Sequence, residues 1–372
     1  MAPLKSGAEG GAAAVADQLG TMSIRDDNKE RSTSFMAQKF CSACGTTDGT
    51  LKQCAACLCV FYCGRKCQLD HRAVHKKDCK RIKKILEKRG SQYVERAEPL
   101  DPLNEDDLPP TEECPICMLP LPPQTSWHSL MSCCGKTICA GCAHEEKYVT
   151  LMEQTRNSAT ELIHWDSKCA FCRAPTPDGE VDIFKRVMER ADDVESIYYV
   201  GEQYMKGSLV PRDYAKGVEL FTRAANLGDG EACYELGWLY LEGKYGVSCD
   251  KAKAMLYFKR AAQKGYIEAL MDLGDFEYQD NNVRAAMKHW RIAAARGDEN
   301  SVTKLIGCFE LEKLLHSDLS WCLQAKDKVF IETKSEQRTE YEKYKKEFGN
   351  GLHDGKDDTQ YWLRRGVQFF SR

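Results

Sequence analysis

Nowhere in its 372 residues does the chain run to eighteen consecutive apolar positions, which excludes an ordinary membrane-spanning helix. It also lacks a dominant charge: 53 Lys and Arg face 56 Asp and Glu, for a net charge of −3. No global field therefore draws it to nucleic acid or to anionic lipid. The N-terminal segment lacks an export core, because the short run from Ala12 to Ala16 stops at Asp17. The chain is expected in the cytoplasm or nucleus, where thiols stay reduced. With 42% hydrophobic and 9% aromatic residues, it has the makings of two to four folded domains.

Cysteine is abundant, and unevenly placed: sixteen of the 20 fall between Cys41 and Cys172. In a reducing compartment such clustering reads as metal ligation. The first cluster is spaced Cys41-x2-Cys44, Cys54-x2-Cys57, Cys63-x3-Cys67 and His75-x3-Cys79. A C-x2-C pair offers two thiolates from one tight turn, and an x3 pair places its side chains one helical turn apart. Four such pairs fill two tetrahedral zinc sites, although spacing alone does not say which pairs share a metal. The cluster resembles the MYND zinc finger, including Phe61-Tyr62-Cys63, Cys67-Gln68 and His75-Lys76. That resemblance implies interleaved sites, Cys41, Cys44, Cys63 and Cys67 on one zinc and Cys54, Cys57, His75 and Cys79 on the other. It also implies docking of short partner peptides, often with proline. No SET-like cofactor motif accompanies it, so methyl transfer is not expected. Cys59 is surplus and reads as packing, and His71 as a solvated helix residue.

The second cluster runs Cys114-Pro-Ile-Cys117, Cys133-Cys134-Gly-Lys136-Thr-Ile-Cys139-Ala-Gly-Cys142 and Cys169-Ala-Phe-Cys172. It resembles a RING finger, whose two zincs are cross-braced. The resemblance implies that Cys114, Cys117, Cys139 and Cys142 hold one zinc and Cys133, Cys134, Cys169 and Cys172 the other. Lys136 stands where most of the family has histidine, so Cys133 supplies the missing ligand, with His128 as the alternative. RING ligases recruit a ubiquitin-conjugating enzyme and act by orientation, not by covalent chemistry. Ile116, Trp165 and Arg173 stand where the family's recruiting residues stand. Ala170 replaces a proline common in such ligases, and the gap from Cys142 to Cys169 is long, with a helix expected around residues 145–154.

From about residue 182 a repeat appears. Gly201-Glu-Gln-Tyr204, Gly237-Trp-Leu-Tyr240 and Gly274-Asp-Phe-Glu277 correspond, and each precedes a helix ending Ala-Ala-x-x-Gly at Gly228, Gly265 and Gly297. Small residues let paired helices approach closely, the glycine takes a left-handed cap, and Asp213 and Asp250 are placed to cap second helices. One hairpin cannot bury its apolar face, so neighbours must stack. The units resemble Sel-one-like repeats, relatives of tetratricopeptide repeats, which implies a concave protein-binding face.

The expected architecture is multidomain: two small zinc-stabilised cross-brace modules followed by an all-α helical-hairpin solenoid. Its boundaries are 1–38 disordered, 39–90 first finger plus basic helix, 91–112 acidic linker, 113–180 second finger, 182–300 solenoid, and 301–372 a degenerate helical repeat and tail. Four structural Zn2+ ions are expected. The partners expected are proteins: a ubiquitin-conjugating enzyme and substrate or scaffold peptides. Nucleic acid and membrane are not expected. Two functions fit: a RING-type ubiquitin ligase, or a non-catalytic zinc-binding adaptor. A zinc hydrolase does not fit, since catalytic zinc keeps an open position and favours histidine and carboxylate ligands.

Overall fold

A computed structural model describes residues 39–90, 95–103, 107–122, 128–145, 168–169, 171–175, 179–190 and 193–348. The N-terminal 38 residues, the helix expected at 145–154 beyond residue 145, Trp165, His164, Ala170 and the C-terminal aromatics lie outside the described residues.

The first module holds a two-stranded antiparallel sheet, β1 (Lys52–Gln53) and β2 (Phe61–Tyr62), with Lys52 opposite Tyr62. Two consecutive helices follow, α1 (Arg65–Asp70) and α2 (Arg72–Arg89). The second module is built on β3 (His128–Met131) paired antiparallel with β4 (Lys136–Cys139), His128 opposite Cys139. Residues 140–145 then turn helical.

The rest is helical: α3 (Glu180–Glu189), α4 (Val194–Lys206), α5 (Tyr214–Leu227), α6 (Gly230–Glu242), α7 (Lys251–Gln263), α8 (Ile267–Gln279), α9 (Val283–Ala295), α10 (Glu299–Glu310), α11 (His316–Glu332) and α12 (Glu336–Phe348). Helices α4 to α9 pack as three successive hairpins, and α10 and α11 add a further helix pair. Asp213 and Asp250 accept the backbone N–H of Lys216 and Lys253, both at 3.0 Å, so the second helices of the first two hairpins begin on an aspartate cap, while α9 follows Asn282 without a side-chain cap. Gly228, Gly265 and Gly297 take φ of 99°, 90° and 94° at the hairpin ends.

The repeated Gly201, Gly237 and Gly274 answer a different demand. A Cβ at these positions would meet the ring of Phe221 at 2.9 Å, Phe258 at 2.7 Å and Trp290 at 2.3 Å. Each hairpin therefore closes by laying an aromatic ring of its second helix directly on the backbone of its first. The fit rests on the absent side chain.

Two cores result. One lies within the repeats and contains Leu236, Phe258, Ala261 and Leu273. The other joins the first module to the end of the solenoid, where Val60, Tyr62, Ile82 and Ile85 share one cluster with Trp290, Leu305, Phe309 and Leu323. The apolar stripe of the basic helix α2 is thus covered by α10, and Arg81 pairs with Glu310 at 3.2 Å. The acidic linker is also docked: Leu100 and Leu103 are buried against the helices, 9% and 4% exposed. Among the described residues, no helix is long and apolar enough to cross a membrane.

Candidate metal centres

Four of the five C-x2-C pairs sit on the same backbone device, the exception being Cys139 and Cys142 at the end of β4. The N–H groups of Gly45, Leu58, Met118 and Arg173 donate to the carbonyls of Cys41, Cys54, Cys114 and Cys169 at 2.8, 2.9, 2.8 and 3.0 Å. The first cysteine of each pair returns its own N–H to Thr46, Val60, Leu119 or Ala174, each at 2.9 Å. The donor after the second cysteine is left-handed in all four, with φ of 79°, 59°, 55° and 58°. Only the first is glycine. For Leu58, Met118 and Arg173 that conformation costs roughly 1 kcal/mol, a strain held in place because the turn must present both sulfurs to one point.

The chain gathers its ligand candidates into four groups: Cys41, Cys44, Cys63 and Cys67; Cys54, Cys57, His75 and Cys79; Cys114, Cys117, Cys139 and Cys142; and Cys133, Cys134, Cys169 and Cys172. Within each group the donor atoms lie within 4.8 Å of one another. Tetrahedral zinc with Zn–S bonds of about 2.3 Å requires sulfurs about 3.8 Å apart. The observed separations are 3.8 Å for Cys44–Cys63, 3.8 Å for Cys54–Cys79, 3.9 Å for Cys117–Cys139 and 3.7 Å for Cys134–Cys169. A disulfide needs about 2.05 Å, so these are metal-sized clusters. All four fit structural Zn2+: three groups of four thiolates and one of three thiolates with the His75 imidazole, no carboxylate, and four ligands apiece, which leave no open position.

His128 stands apart from these groups. Its Nε2 donates to the Pro122 carbonyl at 2.7 Å, and burial holds the imidazole below its ordinary range. Lys136 lies over the Phe171 ring with Nζ 4.5 Å from its centre. Cys59 is fully buried beside Cys57, and its thiol lies 3.3 Å from His316 Nε2. His144, 8% exposed, packs edge-on to Tyr341.

Sequence reasoning missed the groups that surround the clusters. His71, expected in solvent, is 5% exposed. Its ring stacks on that of His75 at 5.5 Å, with Nδ1 3.0 Å from the Tyr62 hydroxyl and Nε2 3.1 Å from Asp327 Oδ1. Asp327 arrives from α11, so the first module is clamped to the solenoid beside one of its metal groups. Ser320 and Gln324 of α11 donate to the Cys59 carbonyl at 2.6 and 3.0 Å. In the second module Arg338 of α12 is 4% exposed. Its guanidinium donates to Cys117 Sγ at 3.6 Å and to the Leu119 and Thr333 carbonyls at 3.5 and 2.8 Å. A hydrogen bond from Cys142, aided by the Arg338 charge, holds the Cys139 thiol below its ordinary range despite burial. No local spacing could have flagged Arg338, which sits in the polar run Glu336-Gln-Arg-Thr-Glu340.

Between the second module and the solenoid lies a cavity of about 590 Å3, lined by Leu130, Thr137, Glu195, Tyr198 and Tyr266 among others. Thr137 donates to Glu195 Oε2 at 2.8 Å across it. Burial, with Asp193 and Glu112 nearby, raises the Glu195 carboxyl to about 7. A carboxyl raised on folding adds stability while it stays protonated and loses it as pH rises through the folded value. Replacing Glu195 by Gln, which keeps an acceptor and sheds the charge, is therefore expected to matter little at pH 5, near the unfolded value of the carboxyl. The gain should build up to about pH 7 and level off above it, at about 1–2 kcal/mol after discounting for solvent screening. Melting curves of both proteins between pH 5 and 8 check this; a difference that shrinks with rising pH refutes it.

A MYND finger is matched over residues 41–79. A Sel1 repeat is matched three times, over 194–229, 230–266 and 267–298. Neither match covers residues 114–172. Among solved structures, a protective antigen of uropathogenic Escherichia coli displaying an SLR fold is 30% identical over 36% of this chain, with a TM-score of 0.33. The chain spans only 29% of that antigen. A Sel1 repeat protein from Oxalobacter formigenes is 26% identical over 32% of this chain and 95% of its own length, TM-score 0.30. An immunity protein from Pseudomonas aeruginosa is 15% identical over 54% of this chain and 87% of its own, TM-score 0.25.

Proposed function

We propose that this zinc-binding, protein-interaction chain is a RING-type ubiquitin ligase. In this reading the second module recruits a ubiquitin-conjugating enzyme, while the MYND finger and the repeats hold the protein to be modified. The observation that carries it is the exposure of Ile116 and Arg173 on two cysteine turns of the module. Ile116 sits inside the first C-x2-C turn with 40% of its surface exposed, and the next apolar residue, Met118, is 66% exposed. Arg173 follows the last cysteine, exposed and held left-handed by its bond to Cys169. Its forked donors are thus presented on a turn fixed by the metal, as an orienting residue requires. Trp165, the third candidate, lies outside the described residues.

Autoubiquitination with a panel of conjugating enzymes tests the reading. Chains are expected from the zinc-loaded protein, falling at least ten-fold in Arg173→Ala with the zinc content unchanged. Equal activity in that variant, or none in the loaded wild type with any conjugating enzyme, removes the ligase reading. What remains is the adaptor, favoured by one observation: both modules are braced on the solenoid through Asp327 and Arg338, an arrangement suited to presenting several binding faces in fixed relation.

A further inference from the structure

Residues 95–110 join the two zinc modules, and the described part of this segment lies along the solenoid in an extended path. It begins where the His316 N–H donates to Glu95 Oε1 at 2.7 Å. The Leu100 N–H donates to Asp318 Oδ2 at 3.2 Å, and its side chain enters the core beneath. Arg291 donates to the Asp101 carbonyl at 2.8 Å, and Arg284 donates to the Pro99 carbonyl at 2.9 Å and to the Asp101 carboxylate at 3.4 Å. Leu103 enters the repeat core, Lys288 faces Asp107 at 3.8 Å, and Pro109 and Pro110 cross over Gly265. Between Glu98 and Pro110 the sequence carries five carboxylates and no cation.

The surface under this strap has a definite chemistry. Arg284, Lys288 and Arg291 stand on one side of α9, at helical spacing. Arg291 is 4% exposed and its Nε has no hydrogen-bond partner. Two leucine sockets flank it, three residues apart along the strap. Yet the strap is held lightly. It adds no strand to a sheet, and its carboxylates at Glu98 and Asp101 remain 90% and 91% exposed, where any one ion pair contributes little; its acidity counts through several carboxylates together, and through the repulsion that a cation set in place of one of them meets. If it lifts, the Arg291 guanidinium loses its Asp101 acceptor and two apolar sockets are left to water. A segment of like kind restores the acceptor and refills both sockets.

We infer that this face of the third repeat is a docking site for acidic, leucine-bearing extended segments of partner proteins, filled in the resting chain by its own residues 98–103 and 107–110. The sequence of the strap describes the occupant: Pro-Leu-Asp-Pro-Leu followed by an acidic run and Leu-Pro-Pro. A tethered segment acts at millimolar effective concentration, so the site opens to partners that outcompete it or when the strap is released. The proposal rests on reading the repeats as protein-binding and gives that reading its ligand class.

The test is fluorescence anisotropy with a labelled synthetic peptide of residues 98–110, on the full zinc-loaded chain. Leu100→Ser with Leu103→Ser releases the strap. So does Asp101→Lys, at an exposed position where folding is not at stake. Both released proteins are expected to bind the peptide at least ten-fold tighter than wild type. Adding Arg284→Glu and Lys288→Glu to the released chain should cost at least ten-fold, and a peptide with its five carboxylates changed to amides should not bind. The proposal is overturned if the folded Asp101→Lys protein binds no tighter than wild type, or if the neutral peptide binds as well as the acidic one. No ubiquitin enters the measurement, so its failure and that of the ligase reading are separate results.

Discussion

Zinc removal is expected to unfold the second module and strip the first of its local order while leaving the repeats helical. Among the described residues, the buried cluster at the heart of the second module is five residues, Cys114, Leu121, Ile138, Cys139 and Cys142, three of them thiols. Without metal, that core is sulfur against sulfur, with carbon on too few sides to drive collapse. Structural zinc contributes about 10–16 kcal/mol per site in small fingers, comparable to the whole stability of an ordinary domain, about 5–15 kcal/mol. The first module has more to fall back on, because Val60, Tyr62, Ile82 and Ile85 pack on the solenoid. The measurement is metal release to a chromophoric chelator alongside amide exchange. Four zincs per chain should leave; residues 113–145 should lose all protection, residues 41–63 most of it, and 194–310 little. Protection over 113–145 that survives complete chelation would sink the structural role of the metal.

Arg338→Met is expected to cost about 3–5 kcal/mol, the scale of an uncompensated buried charge. Four thiolates around one divalent ion leave a net negative site, and Arg338 is the buried cation against it, 3.6 Å from Cys117. Methionine keeps the bulk of the stem and discards the charge and the fork. The bonds to Leu119 and Thr333 go with it, freeing two carbonyls. Partners of this kind affect metal affinity by about 10–100-fold. Zinc should leave the second module at least ten-fold faster, with release from the first unchanged. Lysine at 338 restores charge without the planar fork and should recover only part of the loss. Equal release rates in wild type and Arg338→Met would show that the guanidinium merely fills space.

Much of this was legible in the sequence because metal ligation and helix pairing both write themselves at short range. Two thiolates on one turn need two intervening residues, and an aspartate cap or a terminal glycine sits within four residues of what it caps. The repeat motif with Gly237 could be seen as a recurring glycine, though not the Phe258 ring that requires it. The unreadable part was long-range. His71 looked solvated because nothing near it in sequence is its partner; Asp327 lies 256 residues on. Ile82 and Ile85, three residues apart in the basic helix, fit one apolar helix face, but nothing near them in sequence says that α10 covers it. The acidic, proline-containing stretch read as a linker, since only the fold supplies the arginines and leucine sockets that seat it. Pairing within the fingers came from family resemblance, as spacing by itself permits more than one assignment.

The two braces also set an order of manufacture. Asp327 follows His71 by 256 residues, and Arg338 follows Cys117 by 221. At about 5–20 residues per second, a ribosome needs roughly 10–50 s to cover such a gap. Both heads emerge, and meet cellular zinc, long before the helices that steady them exist. Metal can therefore be captured before assembly is complete, and a message cut short after the repeats should yield loaded heads without their Asp327 and Arg338 braces, held by the repeats alone and more open to chaperones and proteases.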